Sequence, residues 1–126
     1  MEINELRIGN YVSFHNVFYK IVEIEKDRVL IEYHNGETDY CHIDYIDPIE
    51  LTEEILVKIG FEKFVKSFRM ELSGCRLDYF IDKTLYIYKK HTNCCLIKDL
   101  EIKCEYIHQL QNSFFLLTGK ELEVEL

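Results

Sequence analysis

Cys104 and His108 are the side chains whose types and spacing could most directly do chemistry. They stand four positions apart, so a helix through this segment would place thiol and imidazole on one face, at a spacing that suits metal ligands. His91, Cys94 and Cys95 could add ligands from an adjacent loop. The same pair could act as nucleophile and base, but no third member or oxyanion loop accompanies it. We favour packed thiols and a hydrogen-bonded histidine, and we expect no metal, no cofactor and no catalytic residue.

Other compact chemical motifs do not occur in the sequence. It has no phosphate-binding glycine loop, no Gly-x-Ser-x-Gly elbow, no His-Glu-x-x-His and no EF-hand pattern. Its five cysteines are odd in number and form no Cys-x-x-Cys pair, which is typical of reduced thiols. The first residues are acidic, and no apolar stretch approaches the roughly 18 to 20 residues that cross a bilayer. We expect a non-enzymatic, cytoplasmic protein that does not enter membranes.

Two tyrosines and two lysines form the first candidate surface. Alternation over residues 84–88 turns Tyr86 and Tyr88 outward, just before Lys89 and Lys90. Aromatic rings interleaved with cations can stack bases and hold phosphates, as in proteins that bind single-stranded nucleic acid. The same pattern also keeps an exposed strand soluble, which is the interpretation we prefer.

A second candidate surface lies on the last predicted helix. His108, Gln111, Asn112 and Phe115 form a stripe of hydrogen-bonding side chains that ends in an aromatic ring, and Leu116 points nearly opposite the core. Such a stripe suits either a partner interface or an internal polar seam against the front of the chain, and we favour the seam. If Phe115 and Leu116 are exposed, a second copy of the chain is one partner that would cover them.

Charge is distributed unevenly along the chain. The net charge of −8 argues against general binding of nucleic acid. Residues 1–57 carry four basic and 13 acidic side chains, and residues 58–91 carry eight and four. Acids presented along one face could imitate a nucleic-acid backbone, which would suit an inhibitor of a host defence nuclease. The acids in question are Glu23, Glu25, Asp27, Glu32, Glu37, Asp39, Asp44 and Asp47. They could equally form a solvated face.

The front of the chain, residues 1–50, consists of short β-runs separated by turn formers. Strands are predicted over residues 11–14, 18–24, 29–33 and 38–43, and Asn35-Gly36 is the strongest hairpin signal. Strands this short and closely spaced predict a small, strongly bent sheet or barrel. The stretch Gly9-Asn10-Tyr11-Val12 resembles the first strand of SH3-like barrels.

Residues 51–126 predict a helix, a meander, a second helix and a final strand. Thr52 caps a short linking helix that ends at Gly60, and an antiparallel meander follows over residues 61–97. A long helix from about Lys103 to Thr118 should cover that meander, and the alternation over residues 121–126 predicts a terminal strand. The fold class is therefore α+β, and the alternative is one continuous sheet with both helices on one side.

Three segments carry a resemblance to a known group of proteins. The first two segments are Leu6-Arg7-Ile8-Gly9-Asn10-Tyr11-Val12 and Leu51-Thr52-Glu53-Glu54-Ile55-Leu56. The third is Tyr106-Ile107-His108-Gln109-Leu110-Gln111-Asn112 with the following Leu117-Thr118-Gly119-Lys120-Glu121-Leu122. They resemble a pattern found in short proteins of no known activity from Bacteroides-type genomes and their phages. The resemblance implies a phage or mobile-element setting and brings no activity or site residue.

Together these features predict a non-catalytic protein–protein interaction module with a protein partner. An acidic nuclease inhibitor and a binder of single-stranded nucleic acid are the two alternatives.

Overall fold

The computed structural model describes residues 1–72, 74–90, 96–124 and 126. Over these residues the chain is mixed α+β, with two antiparallel sheets of four and five strands and two α-helices. It divides into two compact units. The front unit comprises Met1–Glu50 and Tyr106–Glu121, and the meander unit comprises Leu51–Glu105 and Leu122–Leu126.

The front sheet has four strands joined by hairpins. Its strands are β1 (Tyr11–Phe14), β2 (Val17–Glu25), β3 (Arg28–Glu32) and β4 (Thr38–His42), paired in that order. The first hairpin turns at His15 and Asn16, which both adopt positive φ, a conformation that matches the twist of a tight hairpin. Side chains on one face are fully buried and form the core of this unit, namely Val12, Ile21, Val29 and Ile31. The four predicted strands are confirmed.

This sheet does not close into a barrel. Within residues 1–50, all of which the structure describes, no ladder joins β1 to β4. After a short 3-10 helix, Ile43–Tyr45, a single bridge connects Asp47 to Ser13 of β1 through two hydrogen bonds of 2.9 Å. The front unit is thus an open sheet whose last segment returns to its first strand at one point.

The linking helix forms as its capping residues predict. It is α1, Glu53–Ile59, and the Thr52 hydroxyl accepts a hydrogen bond from the Ile55 N–H at 3.2 Å. Gly60 ends the helix with φ of 116°, which a residue with a Cβ rarely adopts. The buried side of α1 consists of Ile55, Leu56 and Ile59.

The second sheet is the predicted meander. Its strands are β5 (Glu62–Lys63), β6 (Ser67–Leu72), β7 (Cys75–Phe80), β8 (Thr84–Lys90) and β9 (Leu96–Lys103), paired in sequence order. Leu77, Leu85 and Ile87 are completely buried on one face. The predicted turn at Ser73 and the predicted strand start at Cys94 lie outside the described residues.

The long helix begins later than predicted because β9 occupies its expected first turn. Lys103 still pairs with Thr84 of β8, and the N–H of Cys104 donates to the Lys83 carbonyl at 2.8 Å. The backbone groups of this segment therefore make their hydrogen bonds within the meander unit and not within a helix. The helix, α2, spans Ile107–Thr118.

Helix α2 belongs to the front unit, whereas the sequence predicted that it would cover the meander. Leu110 and Phe114 are buried, as their place on the apolar stripe predicts. A row of polar side chains on α2 is also buried and bonds to the start of β1, as described below, and this bonding accounts for the grouping.

The predicted terminal strand is absent from the described part of the chain end. Leu122 and Val124 are buried and Glu121 and Glu123 are exposed, so the expected alternation is present. Residues 121–124 nevertheless pair with no strand, because every described ladder lies within the two sheets above. Glu125 lies outside the described residues.

Candidate functional site

The predicted pairing of Cys104 with His108 on one helical face is wrong. Cys104 directly follows β9, and His108 is the second residue of α2. Two residues separated by the start of a helix do not share the i, i+4 geometry on which a metal or nucleophile site would depend. His91, Cys94 and Cys95 lie outside the described residues. Elsewhere in the described chain, no three His, Cys, Asp or Glu side chains are arranged to hold a metal ion.

Gln111 is the centre of a buried polar seam within the front unit. Its amide nitrogen donates to the Gly9 carbonyl at 3.1 Å, and its amide oxygen accepts from the Tyr11 N–H at 3.0 Å. Asn10 is also fully buried and donates to the side chain of Asn112 at 2.8 Å. The seam that the sequence favoured over a partner interface is present, so Gln111 is not part of a surface.

Asn112 extends the seam to the edge of the front unit. Its oxygen accepts from Arg7 at 3.0 Å, and its nitrogen donates to the Glu5 carbonyl at 2.8 Å. The Arg7 guanidinium also pairs with Glu121 and lies 3.8 Å from the centre of the Phe115 ring. One arginine thus joins both ends of the front unit's sequence.

His108 is buried and lacks hydrogen bonds within the described structure. It is 1% exposed, and neither ring nitrogen has a hydrogen-bond partner. Its ring stacks on Tyr106, with 5.9 Å between centroids and 8° between planes. Burial lowers the pKa of His108, and the Glu5 carboxylate, 3.6 Å from Nε2, opposes that shift only in part. The imidazole is therefore neutral at neutral pH and is not on a surface that could receive a partner.

Two of the predicted interface residues on α2 do reach the surface. Leu116 is 77% exposed and Phe115 is 37% exposed. Because Arg7 already lies over the Phe115 ring, Leu116 is the larger uncovered apolar group at this end of the helix.

The predicted pair Tyr86 and Tyr88 lies on the outward face of the meander sheet. The two rings are nearly parallel, with 6.4 Å between centroids, and Phe80 of β7 packs edge-on to Tyr86 at 5.3 Å. Arg76 lies 4.7 Å from the Tyr88 ring centre, and the Lys98 ammonium lies 5.7 Å from that of Tyr86. We call these five residues the aromatic face.

The cations over these rings are Arg76 and Lys98, which the sequence reasoning missed. They lie on β7 and β9, and strand register, invisible in a local pattern, places each beside a tyrosine of β8. The predicted Lys89 and Lys90 lie at the end of β8 instead. Lys89 is 3.8 Å from the carboxylate of Asp99.

Asp78 is a buried carboxylate beneath this face. It is 4% exposed, and it binds Arg69 at 2.9 Å and Arg76 at 3.2 Å. Lys98 is likewise paired, with Glu101 at 2.8 Å. The cations of the aromatic face are thus held in place by carboxylates of the same sheet.

The acids of the front half are exposed, but cations lie opposite some of them on the outward face of the sheet. All eight of the candidate acids are exposed. On the outward face of the front sheet, Glu25 lies opposite Arg28, and Glu32 lies opposite Lys20. These two pairs interrupt the row of carboxylates on that face, which weakens the case for imitation of a nucleic-acid backbone.

Comparison with known proteins found no family model, curated protein or solved structure that matches this chain. No helix in the described residues is long and apolar enough to cross a membrane. Functional inference for this chain therefore depends on its own geometry.

Proposed function

We propose that this chain is a non-catalytic protein-interaction module whose contact surface is the aromatic face of the meander sheet. The observation that supports this most is the set of three adjacent rings flanked by an arginine and a lysine. Tyrosine and arginine are the residue types most enriched among side chains that dominate binding energy at protein interfaces.

The side chains of the aromatic face contact one another and nearby carboxylates in the absence of a partner. The buried carboxylate of Asp78 fixes Arg76, and the rings of Phe80, Tyr86 and Tyr88 pack on one another. Side chains that are already immobile lose little conformational entropy on binding, so their contact energy contributes more fully to affinity.

Pairing of the cations favours a protein over a nucleic acid. Phosphate binding depends on lysine and arginine charges that can neutralise phosphates. Here Arg76 is bound to Asp78 and Lys98 to Glu101, so a phosphate would compete with a carboxylate in each case. The meander unit carries ten basic and 11 acidic side chains, so it has no excess of positive charge to attract phosphates.

The exposed end of α2 is a weaker candidate for the same role. Leu116 is one apolar side chain, and the neighbouring Phe115 ring is already in contact with Arg7. We therefore do not propose self-association through this end of α2, and the experiment below tests for it.

The setting that we propose for this module is the cytoplasm of a bacterium carrying a phage or another mobile element. The resemblance of the three motif segments to Bacteroides-type and phage proteins supports it.

The test compares Tyr88→Ser with Leu116→Ser and Tyr88→Phe. Tagged proteins would be used to capture partners from a Bacteroides lysate, and thermal melts would verify that each variant folds. We expect one captured protein to be lost with Tyr88→Ser and retained with the other two variants, because only the first removes a ring from the aromatic face. Purified partner and chain should then bind with the same ranking.

Three outcomes would contradict the proposal. One is partner binding that Leu116→Ser abolishes and Tyr88→Ser leaves intact. Another is concentration-dependent dimerisation by light scattering that Leu116→Ser removes. The third is binding of a labelled oligonucleotide of about 20 bases that falls steeply with salt and requires Tyr88.

A further inference from the structure

A shallow cleft of about 380 Å³ lies in the front unit, and most of the residues that line it are aromatic or histidine. This volume lies within the range of roughly 300 to 1,000 Å³ that is usual for small-ligand sites. The lining residues are Phe14, His15, Tyr40, Cys41, His42 and Tyr45. Five of the six carry a ring, and the sixth, Cys41, is buried.

Local backbone structure places these rings. Phe14 ends β1, and His15 occupies the tight turn that follows with φ of 51°, so its ring lies 4.1 Å from that of Phe14 between centroids. Tyr45 lies on the 3-10 helix after β4, and its ring meets that of His42 edge-on at 6.3 Å. The bridge described above ties these two segments together directly beside the cleft, because Ser13 precedes Phe14.

Carboxylates lie beside two of the lining residues, Tyr40 and His42. The Tyr40 hydroxyl donates to Glu23 and Glu25, at 3.3 Å each. Partial burial and these carboxylates, Glu25 first, raise the pKa of Tyr40, so its hydroxyl stays protonated and neutral. His42 lies 3.4 Å from a carboxylate oxygen of Asp27.

The charge of the whole front unit has the same sign as this rim. The unit carries five basic and 12 acidic side chains. Its field therefore attracts cations and repels anions, and it does so most strongly for a ligand that leaves water to enter the cleft.

We propose that this cleft binds an alkylated lysine side chain from a basic segment of a protein partner. The negative faces of aromatic rings attract such groups, and several rings around one cleft are a known solution for quaternary ammonium ions. The Tyr40 ring shows that a ring of this set attracts a cation, since the Arg28 guanidinium, which also pairs with Glu25, lies 4.0 Å from its centre. Because Arg28 is already in contact with that ring, the rings left for a further cation are those of Phe14 and Tyr45. The inference stands apart from the aromatic face, because every lining residue belongs to the front unit.

The test uses two labelled peptides that differ in one side chain. Both would have about ten residues with a neutral Gly/Ser background, a length that spans one cleft when extended. One peptide carries a central trimethyllysine and the other carries norleucine, which has a similar apolar stem without the charge. Binding would be measured by fluorescence anisotropy at physiological salt, and we expect the cationic peptide to bind at least about tenfold more tightly.

Tyr45 is the residue to change, because it is 69% exposed and its ring can be removed without opening the core. We expect Tyr45→Ala to weaken binding of the cationic peptide by about tenfold and Tyr45→Phe to preserve it. Tyr88→Ser, in the other unit, is the matched control and should leave this binding unchanged. It also distinguishes the two proposals, because it removes a ring from the aromatic face and leaves the cleft of the front unit unchanged.

Several results would overturn the inference. Equal binding of the norleucine peptide would show an apolar cleft without selectivity for charge. Unchanged affinity of Tyr45→Ala would place the cation elsewhere on the acidic surface. Complete loss of binding at about 0.3 M salt would show screened surface attraction and not contact with the rings.

Discussion

His108 makes the stability of the protein depend on pH at the scale of a single side chain. The folded state lowers the pKa of this imidazole, chiefly by burying it. Below the ordinary value of about 6.5, the unfolded chain therefore binds a proton that the folded chain does not. The free energy of unfolding is not reduced by His108 above that pH, and it falls progressively as the pH drops below it. We expect the free energy of unfolding to decrease from neutral pH toward about pH 5.5.

Urea unfolding of wild type and His108→Leu at about pH 7.5 and 5.5 measures this effect. Leucine fills much of the same space without titrating and removes two polar atoms that lack hydrogen bonds in the described structure. The variant should lose less stability between the two pH values than the wild type does. A parallel loss in both proteins would assign the acid sensitivity to other groups.

Phe114 and Phe115 are adjacent aromatic residues with opposite structural roles. Phe114 is buried, so Phe114→Ala should cost about 3 to 5 kcal/mol through lost transfer free energy and the cavity left behind. Phe115 is partly exposed and contacts Arg7, so Phe115→Ala should cost about 1 kcal/mol or less. Thermal melts of the two variants give the comparison. Equal, large destabilisation would mean that Phe115 is part of the core.

At the scale of elements, Gln111 determines how α2 joins the front sheet. Gln111→Ala removes the acceptor used by the Tyr11 N–H and the donor used by the Gly9 carbonyl in a buried place. We expect a loss of about 2 to 4 kcal/mol, because two buried hydrogen bonds disappear together. Denaturant unfolding measures it, and Leu116→Ala, on the exposed side of the same helix, is the control. A cost no larger than that of the control would contradict the structural role of the seam.

Elements with a local physical cause could be predicted from the sequence. The Thr52 cap, the Gly60 stop and the alternation of Tyr86 and Tyr88 depend on neighbours within a few residues, and the structure has all three. The late start of α2 and the open edges of the front sheet could not be predicted in this way. The start of α2 depends on the pairing of Lys103 with Thr84, which lies 19 positions away. Closure of a barrel would need a β1–β4 ladder, which is absent within residues 1–50.

The candidate sites also divide into features with a local cause, which could be predicted, and features that depend on distant strand pairing, which could not. The tyrosines of the aromatic face were predicted because they alternate along one strand. Arg76 and Lys98 were not, since each reaches a tyrosine of β8 from a neighbouring strand through sheet register. Asp78 was also missed, because its burial and its contact with Arg69 depend on the pairing of β6 with β7. The ring-lined cleft was also missed, because its walls come from β1, β4 and a 3-10 helix.

At the scale of the whole molecule, the division into two units predicts that one unit can be destabilised without equal destabilisation of the other. Ile31→Ala should weaken the front unit by about 2 to 5 kcal/mol, since Ile31 is fully buried in the core of that unit's sheet. Hydrogen exchange should then accelerate in β1, β2 and β3 and stay slower in β7 and β8. Equal acceleration in both sheets would show that the chain unfolds as one cooperative body.

The tie between the two ends of the front unit also affects the order in which the protein can fold during synthesis. The bond from Gln111 to Gly9 joins residues 102 positions apart, so the ribosome makes the front strands long before their helix. At roughly 5 to 20 residues per second, the delay is on the order of 5 to 20 s. Through that interval the nascent front sheet has no α2 to satisfy Asn10 and the start of β1. The unit must therefore complete its fold late in translation or after release, and contacts of such long sequence separation slow that last step.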